Sequence, residues 1–259
     1  MPSWSLRPLP ALDDNYIWLL VSPAGDALVV DPGEAAPVLR AVADEGLRPR
    51  GILLTHHHGD HIGGVEALLE RFDVPCVAPH DPRIPRASRR VGAGDRAAFD
   101  APDVAFEVIE VPGHTRSHVA YHAPGVLFCG DTLFSLGCGR LFEGSAPQML
   151  ASLDRLAALP DHTAVCAAHE YTQSNAVFAR AVDPDNPRLA ERAAQVDAQR
   201  ARGLPTLPTR LADERACNPF LRVDAPAVIA ALARHLGQAP AGRAERFAAL
   251  RAWKDGFRA

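Results

Sequence analysis

The sequence predicts an α/β layered domain followed by a small helical domain, and three observations carry that expectation. Short apolar, often β-branched runs bounded by Gly, Pro, Asp or Asn recur through the first two-thirds of the chain. Helical patterns sit between some of them, as layered α/β domains require. After about Tyr171 the strand signals vanish, and the chain becomes rich in Ala, Arg, Glu and Leu. The expected division is therefore 1–171 and 172–259.

The expected strands, in order, are Tyr16 to Val21, Ala27 to Val30, Gly51 to Leu54, Val74 to Ala78, Val104 to Val111, Val119 to His122, Val126 to Cys129 and Ala164 to Ala168. The first helix, Ala35 to Glu45, stops at Gly46, a residue suited to the left-handed position that ends helices. A second, Val65 to Phe72, follows the pair Gly63-Gly64. The third, Ala146 to Leu159, opens on the capping-box pattern Ser145-Ala146-Pro147-Gln148 and places Met149, Leu153 and Leu156 on one face. Four further helices are expected near 172–182, 187–202, 225–236 and 241–255, separated by the Asp183–Pro187 and Leu204–Thr209 stretches.

Composition bounds the function. A chain of 259 residues with 47% hydrophobic and 22% charged content is long enough and apolar enough to bury a substantial core. A net charge of −4 gives no general attraction to nucleic acid or to anionic membranes. No apolar run approaches the ~18 residues of a membrane span, and Met1–Arg7 lacks the regions of a signal peptide. Five cysteines, an odd number with no Cys-x-x-Cys pair, read as thiols in a reducing cytoplasm.

The chemistry begins at Thr55-His56-His57-His58-Gly59-Asp60-His61, which follows the apolar Ile52-Leu53-Leu54. Crowded imidazoles raise one another's desolvation cost and repel when protonated, whereas a divalent ion uses their neutral nitrogens as ligands. An expression tag is terminal and lacks an interspersed Asp, so that reading fits poorly. Residues two apart in an extended segment share a side. His56 and His58 are thus expected on one ion, with His57 pointing away. Gly59 is read as allowing a sharp turn, after which Asp60 and His61 reach a second ion. Three more strand ends carry ligand-type residues: His114 after Pro112-Gly113, Asp131 after Gly130, and His169 after Ala168. Each alone is weak, but strand-end loops are where sheet-based enzymes place their chemistry.

These motifs resemble the metallo-β-lactamase superfamily, whose Thr-His-x-His-x-Asp-His signature matches 55–61. The resemblance is closer to its glyoxalase II (hydroxyacylglutathione hydrolase) branch and spans nearly the whole chain. Asp14-Asn15-Tyr16, Pro112-Gly113-His114-Thr115, Gly130–Phe134, Gly137-Cys138-Gly139-Arg140 and His169-Glu170-Tyr171-Thr172 are similar to that branch's motifs. Asn218-Pro219-Phe220-Leu221-Arg222 and Arg251-Ala252-Trp253-Lys254-Asp255 resemble its helical-domain markers, which the superfamily at large lacks.

The resemblance implies an αββα sandwich with a C-terminal helical domain and a dinuclear metal site. It implies His56, His58 and His114 on one ion, Asp60, His61 and His169 on the other, and Asp131 bridging both. Zinc is the first expectation for the two divalent ions, with iron or manganese also compatible with such ligands. His57, His118, His122 and His162 are left for supporting, core or surface roles, and Asp13, Asp14 and Glu170 stay outside the ligand set.

The implied reaction is hydrolysis of S-D-lactoylglutathione to D-lactate and glutathione in methylglyoxal detoxification. A thiol of pKa about 8.5 leaves as thiolate without obligatory protonation, which suits a site with no obvious proton donor. Arg140, Phe142, Tyr171, Arg251 and Lys254 are the implied substrate contacts. Arg251 and Lys254 lie three apart on an expected helix and so share a face. Lys254 is also the single lysine among 27 Lys and Arg residues.

Three positions depart from the family. Arg140 stands where some members have lysine, Phe142 where some have tyrosine, and Ser117 where some have glycine before His118. A persulfide dioxygenase using one iron, a lactonase or β-lactamase, and a non-enzymatic metal-binding module are the competing readings. The complete second-ion set argues against the first, and the Arg251/Lys254 pair against the second. A small-molecule glutathione thioester is the expected partner, with no nucleic acid, no membrane and no obligate protein partner; the chain is expected to be a cytoplasmic monomer.

Overall fold

The computed structural model describes residues 4–258, so the first three residues of the N-terminal stretch considered above, and Ala259, lie outside the described residues. The chain forms two compact units. One comprises the chain up to Glu110 together with Ser117–Gly130, and the other comprises Val111–Arg116 together with the chain from Asp131 onward.

The first unit contains β1 (Ser5–Ala11), β2 (Asn15–Val21), β3 (Asp26–Val30), α1 (Ala36–Glu45), β4 (Arg48–Leu53), α2 (Gly59–Ile62), α3 (Val65–Arg71), β5 (Cys76–Pro79) and β6 (Arg89–Val91). Its first sheet runs β1-β2-β3-β4-β5-β6. Pairing is antiparallel from β1 to β3 and parallel from β3 to β6. Every residue of β2 and β3 is buried. Val38 and Ala41 of α1 and Val65 and Leu68 of α3 pack with Ile17, Leu19, Val29 and Ile52 in one core. Each such valine, leucine or isoleucine contributes about 1.5–3 kcal/mol when fully buried. Gly46 ends α1 with φ of 65°, as expected of a glycine at that position.

Then come β7 (Arg96–Asp100), β8 (Asp103–Glu110), β9 (Val119–Ala123) and β10 (Val126–Gly130), an antiparallel meander. Phe106 of β8 lies 5.8 Å from Phe128 and 6.4 Å from Tyr121 by ring centroids. The meander packs on the first sheet: the Tyr121 hydroxyl donates to the Leu54 carbonyl at 2.9 Å. The Phe99 ring also fills the space where a Cβ on Gly51 would sit.

Three of these strands escape the apolar pattern. β1 carries Pro8 and Pro10, which pair opposite Trp18 and Tyr16 at the sheet's edge, where a missing N–H costs no ladder bond. β6 is arginine-rich with one buried position, and β7 buries only alternate residues, Ala97 and Phe99.

The second unit opens with the hairpin β11 (Leu133–Phe134) and β12 (Gly137–Cys138), followed by α4 (Ala146–Ala157) and β13 (Ala164–Ala167). The capping box of α4 is formed, and Met149, Leu153 and Leu156 are buried. Next come α5 (Thr172–Val182), α6 (Pro187–Ala201), β14 (Thr209–Arg210), α7 (Leu211–Cys217), α8 (Pro226–Leu236) and α9 (Arg243–Gly256). Four of these helices fall where the periodicity places them. β14, which pairs with β13, is a strand in a stretch where none is expected. It is two residues long and too short to show a period. Phe178, Phe220 and Phe247 form an aromatic core, with successive centroids 6.1 and 5.9 Å apart. Among the described residues, no helix is long and apolar enough to cross a membrane.

Candidate active site

In the first unit, the chain leaves β4 in an extended conformation and enters α2 at Gly59. The extended backbone puts His56 and His58 on one side: His56 Nε2 lies 3.1 Å from His58 Nδ1. His57 turns to the Asp81 carboxylate, 3.4 Å from its Nδ1. Asp81 also takes Arg83 through a paired contact and the Ser117 hydroxyl. Hydrogen bonding to Arg83 holds the Asp81 carboxyl well below the usual carboxylate range. The serine that replaces a family glycine thus anchors Asp81.

The rings of His61 and His118 close on His56 at centroid distances of 4.1 and 4.5 Å. All three are buried. Two residues outside the histidine motif, Asp31 and Asn15, hold it in place. Asp31, at the end of β3, adopts φ of 51°, a conformation uncommon outside glycine and tolerated by aspartate. Its Oδ1 accepts from the Thr55 amide at 2.8 Å and its Oδ2 from the Thr55 hydroxyl at 2.7 Å. The same Oδ2 lies 3.1 Å from His61 Nδ1. With Nδ1 protonated toward Asp31, Nε2 of His61 carries the lone pair. Asn15 donates to the Asp60 carboxylate at 3.1 Å and to its carbonyl at 3.3 Å. Asp31, His56 and His61 bring one donor atom each within 4.8 Å of one another.

Gly59 is not what makes this loop possible. A Cβ there would meet nothing within 4 Å, and the residue starts a helical turn. The required glycine is Gly33, where a Cβ would lie 2.0 Å from the Asp60 carbonyl oxygen.

In the second unit, Asp131 stands between two imidazoles. His114 Nε2 is 3.3 Å from its Oδ2, and His169 Nε2 is 3.3 Å from its Oδ1. His114 Nδ1 contacts the Arg140 carbonyl at 2.9 Å, which assigns the lone pair to Nε2. A Cβ on Gly139 would lie 1.9 Å from the Asp131 carbonyl oxygen, so backbone closeness there demands glycine. His169 stacks on Tyr171 with centroids 4.8 Å apart, and Phe134 stands edge-on to both.

A donor set of this kind fits divalent ions. Lone pairs of neutral imidazoles and carboxylate oxygens a few ångströms apart repel one another, and a cation turns that repulsion into coordination. Of the seven expected ligands, His56, His58, Asp60 and His61 lie in the first unit and His114, Asp131 and His169 in the second.

Arg140, Phe142, Tyr171, Arg251 and Lys254 all line one cavity of about 480 Å³ in the second unit, whose wall also includes His114 and Asp131. Arg251 is buried and committed: it donates to the Cys138 carbonyl at 2.8 Å and to Asp255 at 2.9 Å. Arg140 lies 3.6 Å from the same Asp255. Lys254 reaches the Ser174 carbonyl at 3.3 Å and sits 5.4 Å from the centre of the Phe178 ring. Burial first, then the positive Arg251 and Arg140, lower its pKa to about 8. Phe142 is exposed, with its ring 5.1 Å from that of His114. Asp255, which takes both Arg251 and Arg140, is a cavity residue to which the sequence assigns no role. His122 is half-buried, its pKa lowered by burial, and His162 lies at the surface.

Comparison with known proteins places this chain in a family. The metallo-beta-lactamase superfamily model matches residues 12–169, and that of the hydroxyacylglutathione hydrolase C-terminus matches 170–257. A hydroxyacylglutathione hydrolase from Xylella fastidiosa (strain M12) is 55% identical over 253 residues, covering 97% of each chain. The crystal structure of ETHE1 from Myxococcus xanthus aligns with a TM-score of 0.65 at 26% identity, covering 96% of this chain and 98% of that one. TTHA1623 in a di-iron-bound form aligns with a TM-score of 0.54 at 31% identity, covering 63% and 91%. The fold is that of the metallo-beta-lactamases with a C-terminal helical domain, and the chain belongs to the hydroxyacylglutathione hydrolase family.

Proposed function

We propose that this chain hydrolyses S-D-lactoylglutathione to D-lactate and glutathione, the thioester-cleaving step of methylglyoxal detoxification. Residues 1–171 serve as the catalytic domain and 172–259 as the helical substrate-binding domain. The observation that carries the substrate class is the cavity: four cationic residues, Arg140, Arg251, Lys254 and Arg258, line it together with His114 and Asp131. Glutathione brings two carboxylates, for which such donors are suited.

In this reading His56, His58 and His114 hold one divalent ion, Asp60, His61 and His169 hold a second, and Asp131 serves both. Support comes from the opposed imidazoles on the two Asp131 oxygens and from the lone pairs that Asp31 and the Arg140 carbonyl assign to His61 and His114. Zinc is the expected metal. When bound, the ions supply a water acidic enough to be hydroxide near neutral pH and positive charge for the developing oxyanion. Asp31 and Asn15 keep His61 and Asp60 in orientation, and Asp131 stands between the imidazoles of His114 and His169. Lys254 and Arg140 bind the glutathione carboxylates, Tyr171 and Phe142 flank the thioester, and Arg251 holds Asp255 and the Cys138 carbonyl in place. The thiolate leaves without a proton donor. The enzyme works as a cytoplasmic monomer with no obligate protein partner.

The test is substrate choice. Purified protein is expected to turn over S-D-lactoylglutathione and to leave the coenzyme A thioester of the same acid intact. Equal turnover of both would remove the role given to the cationic cavity, and turnover of neither would remove the hydrolase reading.

A further inference from the structure

Glu214 is completely buried in α7, and the groups that donate to it are uncharged. Its Oε1 accepts from the Ser135 hydroxyl at 2.9 Å and the Thr209 hydroxyl at 2.9 Å. Its Oε2 accepts from the Leu136 amide at 2.7 Å and from Asn218 Nδ2 at 3.0 Å. Burial pushes the carboxyl's pKa up, and these four donors oppose that shift. A carboxylate stripped of water is costly to keep unless its lone pairs are filled, so placing one here needs a reason beyond packing.

The contacts converge on the hairpin Leu133–Cys138. Leu136, at its turn, has φ of 58°, a left-handed conformation disfavoured for leucine. Asn218 reaches the Phe134 carbonyl at 3.1 Å and the Gly137 carbonyl at 2.9 Å. From α5, Asn175 donates to the Ser135 carbonyl at 3.0 Å. The hairpin in turn forms part of the cavity wall through Phe134 and Cys138. Phe134 stands edge-on to Tyr171 at 5.3 Å, and the Cys138 carbonyl receives the Arg251 guanidinium.

We infer that Glu214 is a positioning residue for glutathione-thioester binding: by holding the left-handed turn at Leu136 it sets the hairpin wall that places Tyr171 and Arg251. The inference rests on the cavity being the thioester site. It separates shape from charge. Gln is isosteric with Glu; its amide oxygen accepts from Leu136 and Asn218, while its NH₂ donates to the Ser135 and Thr209 hydroxyls, which accept as readily as they donate. Ala offers no acceptor. Asp keeps the charge but sets its oxygens back by about 1.5 Å, one C–C bond.

The experiment measures Kd for S-methylglutathione, a non-hydrolysable thioether, together with kcat, KM and metal content, in wild type, Glu214→Gln, Glu214→Ala and Glu214→Asp. Glu214→Gln is expected to stay within about threefold of wild type in Kd and KM. Glu214→Ala is expected to raise both by about tenfold or more, the equivalent of one lost well-formed contact, with kcat within about threefold and metal content unchanged. Where Glu214→Ala does not fold, Glu214→Asp reads the same rise. Wild-type Kd in a folded Ala or Asp variant would overturn the inference, as would a Gln variant as impaired as the Ala variant, or a fall in kcat with KM unchanged. Wild type that neither binds the thioether nor cleaves the thioester would instead sink the hydrolase reading, and the inference with it.

Discussion

The Asp31 carboxylate lies 3.1 Å from His61 Nδ1 while gripping both the amide and the hydroxyl of Thr55. One buried side chain thus fixes the start of the histidine loop at Thr55 and the tautomer of His61, the histidine that ends it. Partners of this kind typically account for ten- to a hundredfold in metal affinity, roughly. Asp31→Ala is expected to lower metal affinity by about that factor, measured by competition with a chromophoric chelator, and to lower thermal stability because two Thr55 groups lose their acceptor. Unchanged affinity in the folded variant would remove Asp31 from the site.

Two glycines make opposite predictions. At Gly139 a Cβ would sit 1.9 Å from the Asp131 carbonyl oxygen and 3.4 Å from the His114 Cβ. Gly139→Ala is expected to cost about 1–3 kcal/mol in denaturant unfolding, as overpacked sites do, and to lower activity by displacing Asp131. At Gly59 a Cβ meets nothing, and the residue opens α2. Gly59→Ala is expected to keep full activity and to gain up to about 0.5–1 kcal/mol from the lost flexibility of glycine.

Lys254 gives the pH dependence. Its pKa is lowered to about 8, by burial first and then by Arg251 and Arg140. The cation is therefore present below about pH 8 in the unliganded protein and is lost above it. A carboxylate ligand favours the charged form and raises that pKa. KM is expected to be flat below this point and to rise above it, by up to about tenfold per pH unit, until the pKa of the complex is reached. Lys254→Arg keeps the charge throughout and should flatten the profile. A wild-type KM independent of pH from 7 to 10 would show that Lys254 does not hold the substrate.

Much of the fold is written locally. β2, β3 and β10 are continuous apolar runs, and the α4 capping box and Gly46 mark helix ends by chemistry confined to a few residues. β1 and β6 hide because prolines and arginines at a sheet edge break the apolar pattern without breaking the strand. The candidate site divides the same way. His56, His58, Asp60 and His61 announce themselves by crowding within six residues. Asp31 is a single residue of ordinary type just after β3, brought to His61 by tertiary structure alone; Asn15, at the start of β2, stands in the Asp14-Asn15-Tyr16 motif, but its contact with Asp60 is equally tertiary. Asp31-Pro32-Gly33 reads as a turn, and nothing local distinguishes a turn aspartate from one that orients a histidine. Gly59 shows the converse error: a glycine beside a motif attracts a conformational reading that its φ does not need.

The most direct test of the account is Asp131→Ala, assayed for S-D-lactoylglutathione hydrolysis with metal content measured on the same preparation. Asp131 has an imidazole Nε2 at 3.3 Å from each of its oxygens. The account predicts folded protein with metal content clearly below wild type and thioesterase activity reduced to background. Full activity at undiminished metal stoichiometry would contradict it.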